Sequence, residues 1–269
     1  MLQRVITGAI IAVVVLVILF SNVVVTGAFV ALLALIAQYE FLKVVGIGEN
    51  PVLLGTNLIF SIIFAVIVFF EKNAVLPAIA AFYVILLFAI MLFNHEKTEF
   101  NHVSLCVFSL VYITASMLHI VTVRQLDMGN LYIFLIFIGA FATDTCAYFV
   151  GVLFGKHKLC PKVSPKKTIE GAVGGEVGTV VLMLAFGYVA GKLNNLDVNY
   201  FNLAFLGILS GLFSQLGDLT ASIIKRQYDV KDYGHILPGH GGVMDRLDSI
   251  ILMAPLVYYF VTILPIFVA

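Results

Sequence analysis

An all-α, polytopic integral membrane protein is the fold class this sequence predicts, and two observations predict it. Of its 269 residues 62% are apolar and only 11% charged, with a mean hydropathy of +1.10, against roughly 25% charged in a soluble domain. Apolar runs of about 20 residues, the length that crosses a hydrocarbon core, recur along the whole chain. A water-soluble fold has no interior large enough to hide that surface, and a helix satisfies its own backbone in lipid. The expected architecture is about nine transmembrane helices with a polar cavity that faces the cytoplasm.

The spans are read near 4–21, 24–45, 52–70, 74–93, 103–121, 131–154, 169–191, 201–225 and 243–267. The first run imitates a signal peptide, but no A-x-A site follows it, so a retained span is expected. Only Ser21 and Asn22 separate the first two runs. About 42 residues at 1.5 Å each would be twice the hydrocarbon thickness, so two helices joined by a tight turn are expected rather than one long one. The long polar connections are 155–168 and 226–242. No internal repeat or low-complexity tract is visible, and no appended soluble domain is expected. The expected division is 1–125 as N-terminal helices and 126–269 as the catalytic region. Glycines 151, 155, 171, 174, 175, 178, 207, 211 and 217 recur at small-xxx-small spacing on the later spans, where they let helices approach closely.

Net charge is zero, so overall charge implies no nucleic-acid partner. Cys106, Cys146 and Cys160 form neither a disulfide framework nor a paired metal spacing. With a cytoplasmic N-terminus, the inner segments hold Arg4, Lys43, Lys97, Lys156, Lys158, Lys162, Lys166, Lys167, Lys225, Arg226, Lys231 and Arg246. The outer loops hold Lys72, Arg124 and Lys192. That bias predicts that both polar connections face the cytoplasm, where nucleotides are.

Charge within the spans is the functional signal. Asp144, Glu176 and Asp218 lie well inside apolar segments, where each costs about 2.5–3.5 kcal/mol and so should face the bundle interior or water. Asp218, Ser222, Lys225 and Arg226 stand at i, i+4, i+7 and i+8 on one helix face. Asp245 and Asp248 stand at i and i+3 on the opening turn of the last span. Asp218, Asp245 and Asp248, arriving from two helix ends, would suit a hard cation, and Mg²⁺ is its natural occupant. The competing reading makes Asp245, Arg246 and Asp248 helix-start charges with an ion pair. Between these spans lies Pro238-Gly239-His240-Gly241-Gly242. Gly241 and Gly242 bare the backbone ahead of a helix N-terminus, which favours a phosphate; His240 either bonds a phosphate oxygen or only holds the turn. In SPKKTIEG, Lys166 and Lys167 either bind polyanions or anchor to anionic headgroups.

These residues carry a resemblance. Ser222-x2-Lys225-Arg226-x4-Lys231-Asp232-x-Gly234-x2-Leu237-Pro238-Gly239-His240-Gly241-Gly242-x2-Asp245-Arg246-x-Asp248 resembles the signature of phosphatidate cytidylyltransferases, the CDP-diacylglycerol synthases. The SPKKTIEG stretch and Asp144-x3-Tyr148-x2-Gly151-x3-Gly155 resemble the same family, so the likeness covers about residues 140–255. It implies an integral, multi-pass enzyme of the inner or cytoplasmic membrane that joins CTP and phosphatidate, in the lipid bilayer, to give CDP-diacylglycerol and pyrophosphate. It further implies Mg²⁺, a monovalent cation such as K⁺ beside it, a homodimer and an active site facing the cytoplasm. The implied catalytic set is Asp218, Lys225, Arg226, Asp245, Arg246 and Asp248. Asp144, Lys166, Lys167, Ser222, Lys231, His240, Gly241 and Gly242 are expected to bind substrate, and Asp218, Asp245 and Asp248 the metal.

Two other classes compete. An ion-coupled transporter would use Asp144, Glu176 and Asp218 as a path, but the charges cluster toward one membrane face and no inverted repeat shows. A CTP-dependent polyprenol or phytol kinase would share the nucleotide. The D-G-x2-A-R pattern of CDP-alcohol phosphotransferases is not present.

Overall fold

The computed structural model describes residues 2–268; the side chains of residues 2–7 and 9–11, Arg4 among them, lie outside the described set. The fold is all-α and polytopic, as predicted. Its helices are α1 (Leu2–Phe20), α2 (Val23–Val44), α3 (Pro51–Phe69), α4 (Leu76–Phe93), α5 (Phe100–Ser109), α6 (Ser116–Gln125), α7 (Gly129–Phe154), α8 (Ile169–Asn194), α9 (Tyr200–Gln227) and α10 (Met244–Ile263). Eight helical segments among the described residues are long and apolar enough to cross a membrane. They coincide with the second to ninth predicted spans. The first predicted span falls on α1, whose early side chains are outside the described set.

Local chemistry explains several boundaries. The chain breaks at Ser21-Asn22, and the Asn22 side chain caps α2 by accepting the Val25 N–H at 3.0 Å. Asn50 does the same for α3 at Leu53, with Pro51 at the first helical position, where its missing N–H costs nothing. Thr168 caps α8 through the Gly171 N–H at 3.1 Å. One span is built of three pieces, because a π-helical turn, Leu110–Ala115, joins α5 to α6. Beside it Gln38, Asn57, Ser61, Ser109 and Thr114 are buried and bond one another. This satisfies polar groups that lipid would leave bare.

The long polar connection 155–168 folds as an antiparallel hairpin. β1 (Lys158–Cys160) pairs with β2 (Ser164–Thr168), Lys158 opposite Thr168 and Cys160 opposite Ser164. A second short pair joins β3 (Asp197–Val198) to β4 (Phe267–Val268).

The chain divides into two compact units, Met1–Thr122 with Tyr228–Leu247, and Val123–Gln227 with Asp248–Ala269. In the first, α2 packs on α3, and both meet the π turn. Its core holds Phe41, Leu42, Leu53, Tyr83, Leu87, Ile113 and Met117. In the second, α7 lies along α8, and α8 along α9. Glycines make these crossings close. A Cβ at Gly175 would stand 2.8 Å from the Thr143 carbonyl oxygen, and one at Gly171 would stand 2.7 Å from that of Ala147. The structural role read for these glycines is therefore borne out.

Candidate functional site

The second unit contains a cavity of about 450 Å³ bounded by α7, the β1–β2 hairpin, α8 and α9. Its charged lining comprises Asp144, Lys158, Lys166, Lys167 and Asp218, and the small residues Ala147, Gly151, Gly171 and Ala172 leave it open. Tyr148, Val152 and Leu159 add apolar surface to the same walls. The hairpin is what delivers the lysines. Strand alternation within Ser164–Thr168 and the Thr168 cap fix where the chain turns into α8, so Lys167 reaches the Asp218 carboxylate as an ion pair. Lys166 is exposed and Lys167 half-buried.

Asp218 also accepts from Ser222 Oγ at 3.3 Å, one turn on along α9, as the helical spacing predicts. Asp248, half-buried, lies within electrostatic range of Asp218, Asp144 and Lys225. Asp144 accepts from Ser249 Oγ at 3.1 Å. The second unit therefore groups Asp144, Asp218 and Asp248 with Lys167, Lys225 and Ser222. Arg226 is exposed at the end of α9. Glu176, flagged with the other carboxylates inside spans, has both oxygens buried without a hydrogen-bond partner, against Gly211 of α9.

Among the described residues, no three His, Cys, Asp or Glu side chains form a ready-made metal cage. That arrangement is the one zinc demands. Magnesium is commonly held by one or two carboxylates, water and substrate phosphates, and the all-oxygen, acidic set of Asp144, Asp218 and Asp248 fits such a cation in chemistry.

The first unit contains the glycine loop. Leu237 donates to the Gly241 carbonyl at 3.0 Å, and His240 to that of Leu237 at 2.9 Å, closing a tight turn. Gly239 and Gly241 adopt φ of 78° and 85°, where only glycine is unstrained. Asp245 is 7% exposed, and its Oδ2 accepts from Tyr233 N at 2.8 Å and Gly242 N at 2.9 Å. The Gly242 N–H, which the sequence offers to a phosphate, is thus held by Asp245. Arg246 folds back so that Nε and Nη2 both donate to the His240 carbonyl, at 3.0 and 2.9 Å. Lys231 is exposed. His240 Nδ1 is buried with no hydrogen-bond partner.

Two side chains escaped the sequence reading. Lys158 lines the cavity, and its place among the five lysines of the 155–168 connection was its only signal. Glu40 of α2 is 3% exposed and accepts from Met244 N at 2.9 Å. The signal was there, a carboxylate within LLALIAQYEFLKVV, but Lys43 nearby marks that stretch as the end of a span.

Comparison with known proteins gives a consistent result. Residues 2–264 match the cytidylyltransferase family. A phosphatidate cytidylyltransferase of Bacillus subtilis (strain 168) is 35% identical over 264 residues, 96% of this chain and 97% of the relative. Those of Staphylococcus aureus (strain COL) and Staphylococcus epidermidis (strain ATCC 12228 / FDA PCI 1200) are 36% and 37% identical over 178 residues, 66% of this chain and 65% of each relative. With the family matched almost from end to end, and a relative matched over nearly its whole length, this chain belongs to the cytidylyltransferase family, alongside the phosphatidate cytidylyltransferases.

Proposed function

We propose that this enzyme joins CTP to phosphatidate, giving CDP-diacylglycerol and pyrophosphate for phospholipid synthesis. The observation that carries the reading is the cavity of the second unit, where Lys158, Lys166 and Lys167 line the same space as Asp144 and Asp218, with apolar wall from Tyr148, Val152 and Leu159. Few substrates need cations, carboxylates and apolar surface at once; a phospholipid meeting a nucleoside triphosphate does.

In the reaction, a phosphate oxygen of phosphatidate attacks the α-phosphorus of CTP. The bond from that phosphorus to the β-phosphate bridging oxygen breaks, and pyrophosphate leaves with the electron pair. Two polyanions must meet, so positioning and charge compensation carry most of the catalysis. The lysines compensate phosphate charge, with Lys225, Arg226 and Lys231 drawing the triphosphate. Lys167 is held by Asp218 before substrate arrives, so it is oriented in advance. Arg246, locked on the His240 carbonyl, shapes the glycine loop with Asp245, Gly241 and Gly242. A phosphatidate phosphate is already ionised near neutral pH, so no strong base is required. Asp218 and Asp248 with Asp144 would hold Mg²⁺, whose charge would offset that of the phosphates and favour pyrophosphate departure. The reading also carries a monovalent cation such as K⁺, a homodimer, a catalytic region over 126–269 and a cytoplasm-facing site in the cytoplasmic membrane.

The test is purified protein in detergent with CTP, phosphatidate and Mg²⁺, scored for CDP-lipid and pyrophosphate. Stoichiometric release of both, only with phosphatidate present, is expected. Release of CDP with a newly phosphorylated polyprenol would establish a lipid kinase instead, and no lipid-dependent nucleotide turnover would point to a transporter.

A further inference from the structure

Glu40 sits near the end of α2 with its side chain 3% exposed. A carboxylate removed from water costs several kcal/mol unless something holds it. Here Oε2 accepts the N–H of Met244, the first residue of α10, at 2.9 Å. That donor is one a helix start leaves without an intrahelical partner, and the positive helix end favours a carboxylate. Glu40 thus caps α10 from another helix.

The remaining oxygen, Oε1, has no hydrogen-bond partner and is buried against the glycine loop. A Cβ built on Gly234 or on Gly242 would collide with the Glu40 carboxylate. Neither glycine has positive φ, so their backbone conformation does not demand glycine. The space that Glu40 occupies does. Gly242 is therefore constrained twice, by Glu40 where its side chain would be and by Asp245, which takes its N–H at 2.9 Å. Both carboxylates grip the short stretch from Gly242 to Asp245, next to Arg246.

We infer that Glu40 is a positioning residue, whose buried carboxylate fixes Gly234, Gly242 and the first turn of α10 and so sets how Asp245 and Arg246 are presented. The inference rests on reading this loop as part of the cytidylyl-transfer machinery. It accounts for two glycines of the loop by a contact within the protein rather than by approach of a phosphate.

The test combines kinetics with amide exchange on the full chain in detergent micelles. Glu40→Ala should lower kcat by about tenfold or more, in line with the cost of misplacing a catalytic group by about 1 Å, and should speed exchange of amides 242–246 selectively. Glu40→Gln keeps an oxygen for the Met244 N–H and should fall between Glu40→Ala and the unaltered chain, which covers the case where the alanine variant misfolds. Gly234→Ala should reduce kcat in the unaltered chain but cause no further loss in Glu40→Ala, where its methyl group has room. Unchanged exchange at 242–246 in Glu40→Ala, or equal cost of Gly234→Ala in both backgrounds, would overturn the inference. If the unaltered protein makes no CDP-lipid, the proposed reaction fails, while the exchange data still judge Glu40.

Discussion

At the scale of single residues, substitution can separate the loop-holding role of Asp245 from the proposed role of its charge. Asp245 Oδ2 holds Tyr233 N and Gly242 N, while its charge suits a cation. Asp245→Asn keeps an acceptor of the same shape, whereas Asp245→Ala removes both. If the charge matters for turnover, Asn should lose nearly all activity with the loop's amide protection intact, and Ala should lose both. Normal activity in Asp245→Asn would end the case for Asp245 as a cation ligand, since an amide supplies no charge. Lys167 offers a second separation, because it is already paired with Asp218. Lys166→Ala combined with Lys167→Ala should raise KM for CTP and phosphatidate and lower kcat. Unchanged kinetics for both substrates would leave these lysines as headgroup anchors. Residue types and helical spacing were enough to nominate Asp218, Ser222, Lys225 and Asp248 for the site. They were not enough to find Glu40, because its role depends on a loop that lies about 200 positions further along the chain and returns to it.

At the scale of elements, hydropathy reads helices well and short strands badly. Eight spans emerge within a few residues of expectation because about 20 apolar residues have one stable form in lipid. The β1–β2 hairpin was not legible. Its five-residue second strand, Ser164–Thr168, carries a proline and two lysines, which on composition alone reads as a loop. The glycines were legible as packing residues and allow a quantitative test. Gly175→Val would push a branched side chain onto the Thr143 backbone, where even a Cβ stands at 2.8 Å, and overpacking of this kind costs about 1–3 kcal/mol. Its thermal midpoint in detergent should drop by several degrees. Gly55→Val in α3, with nothing within 4 Å of its Cβ, should melt close to the unaltered protein. Equal midpoints for the two variants would show that the α7–α8 crossing does not depend on glycine.

At the scale of the whole molecule, the proposed reaction imposes two routes of access. CTP is soluble and must come from the cytoplasm. Phosphatidate stays in the leaflet, since each buried CH₂ withdrawn costs about 0.8 kcal/mol. The cavity of the second unit has features for both, with Lys158 and Lys166 at its polar lining and Tyr148 and Val152, each more than half exposed, on α7. The distribution of lysine and arginine predicts that the loops carrying these groups face the inside of the cell, and cysteine labelling tests that expectation. Ile236, 54% exposed in the glycine loop, is a suitable reporter; nearby Tyr233, buried with its ring against Phe41, is not. With Cys106, Cys146 and Cys160 replaced by alanine, an Ile236→Cys variant in sealed vesicles should react with a membrane-impermeant maleimide only when the cytoplasmic face is outward. Reaction from the opposite face alone would invert the topology, and the nucleotide would then have no route to the glycine loop.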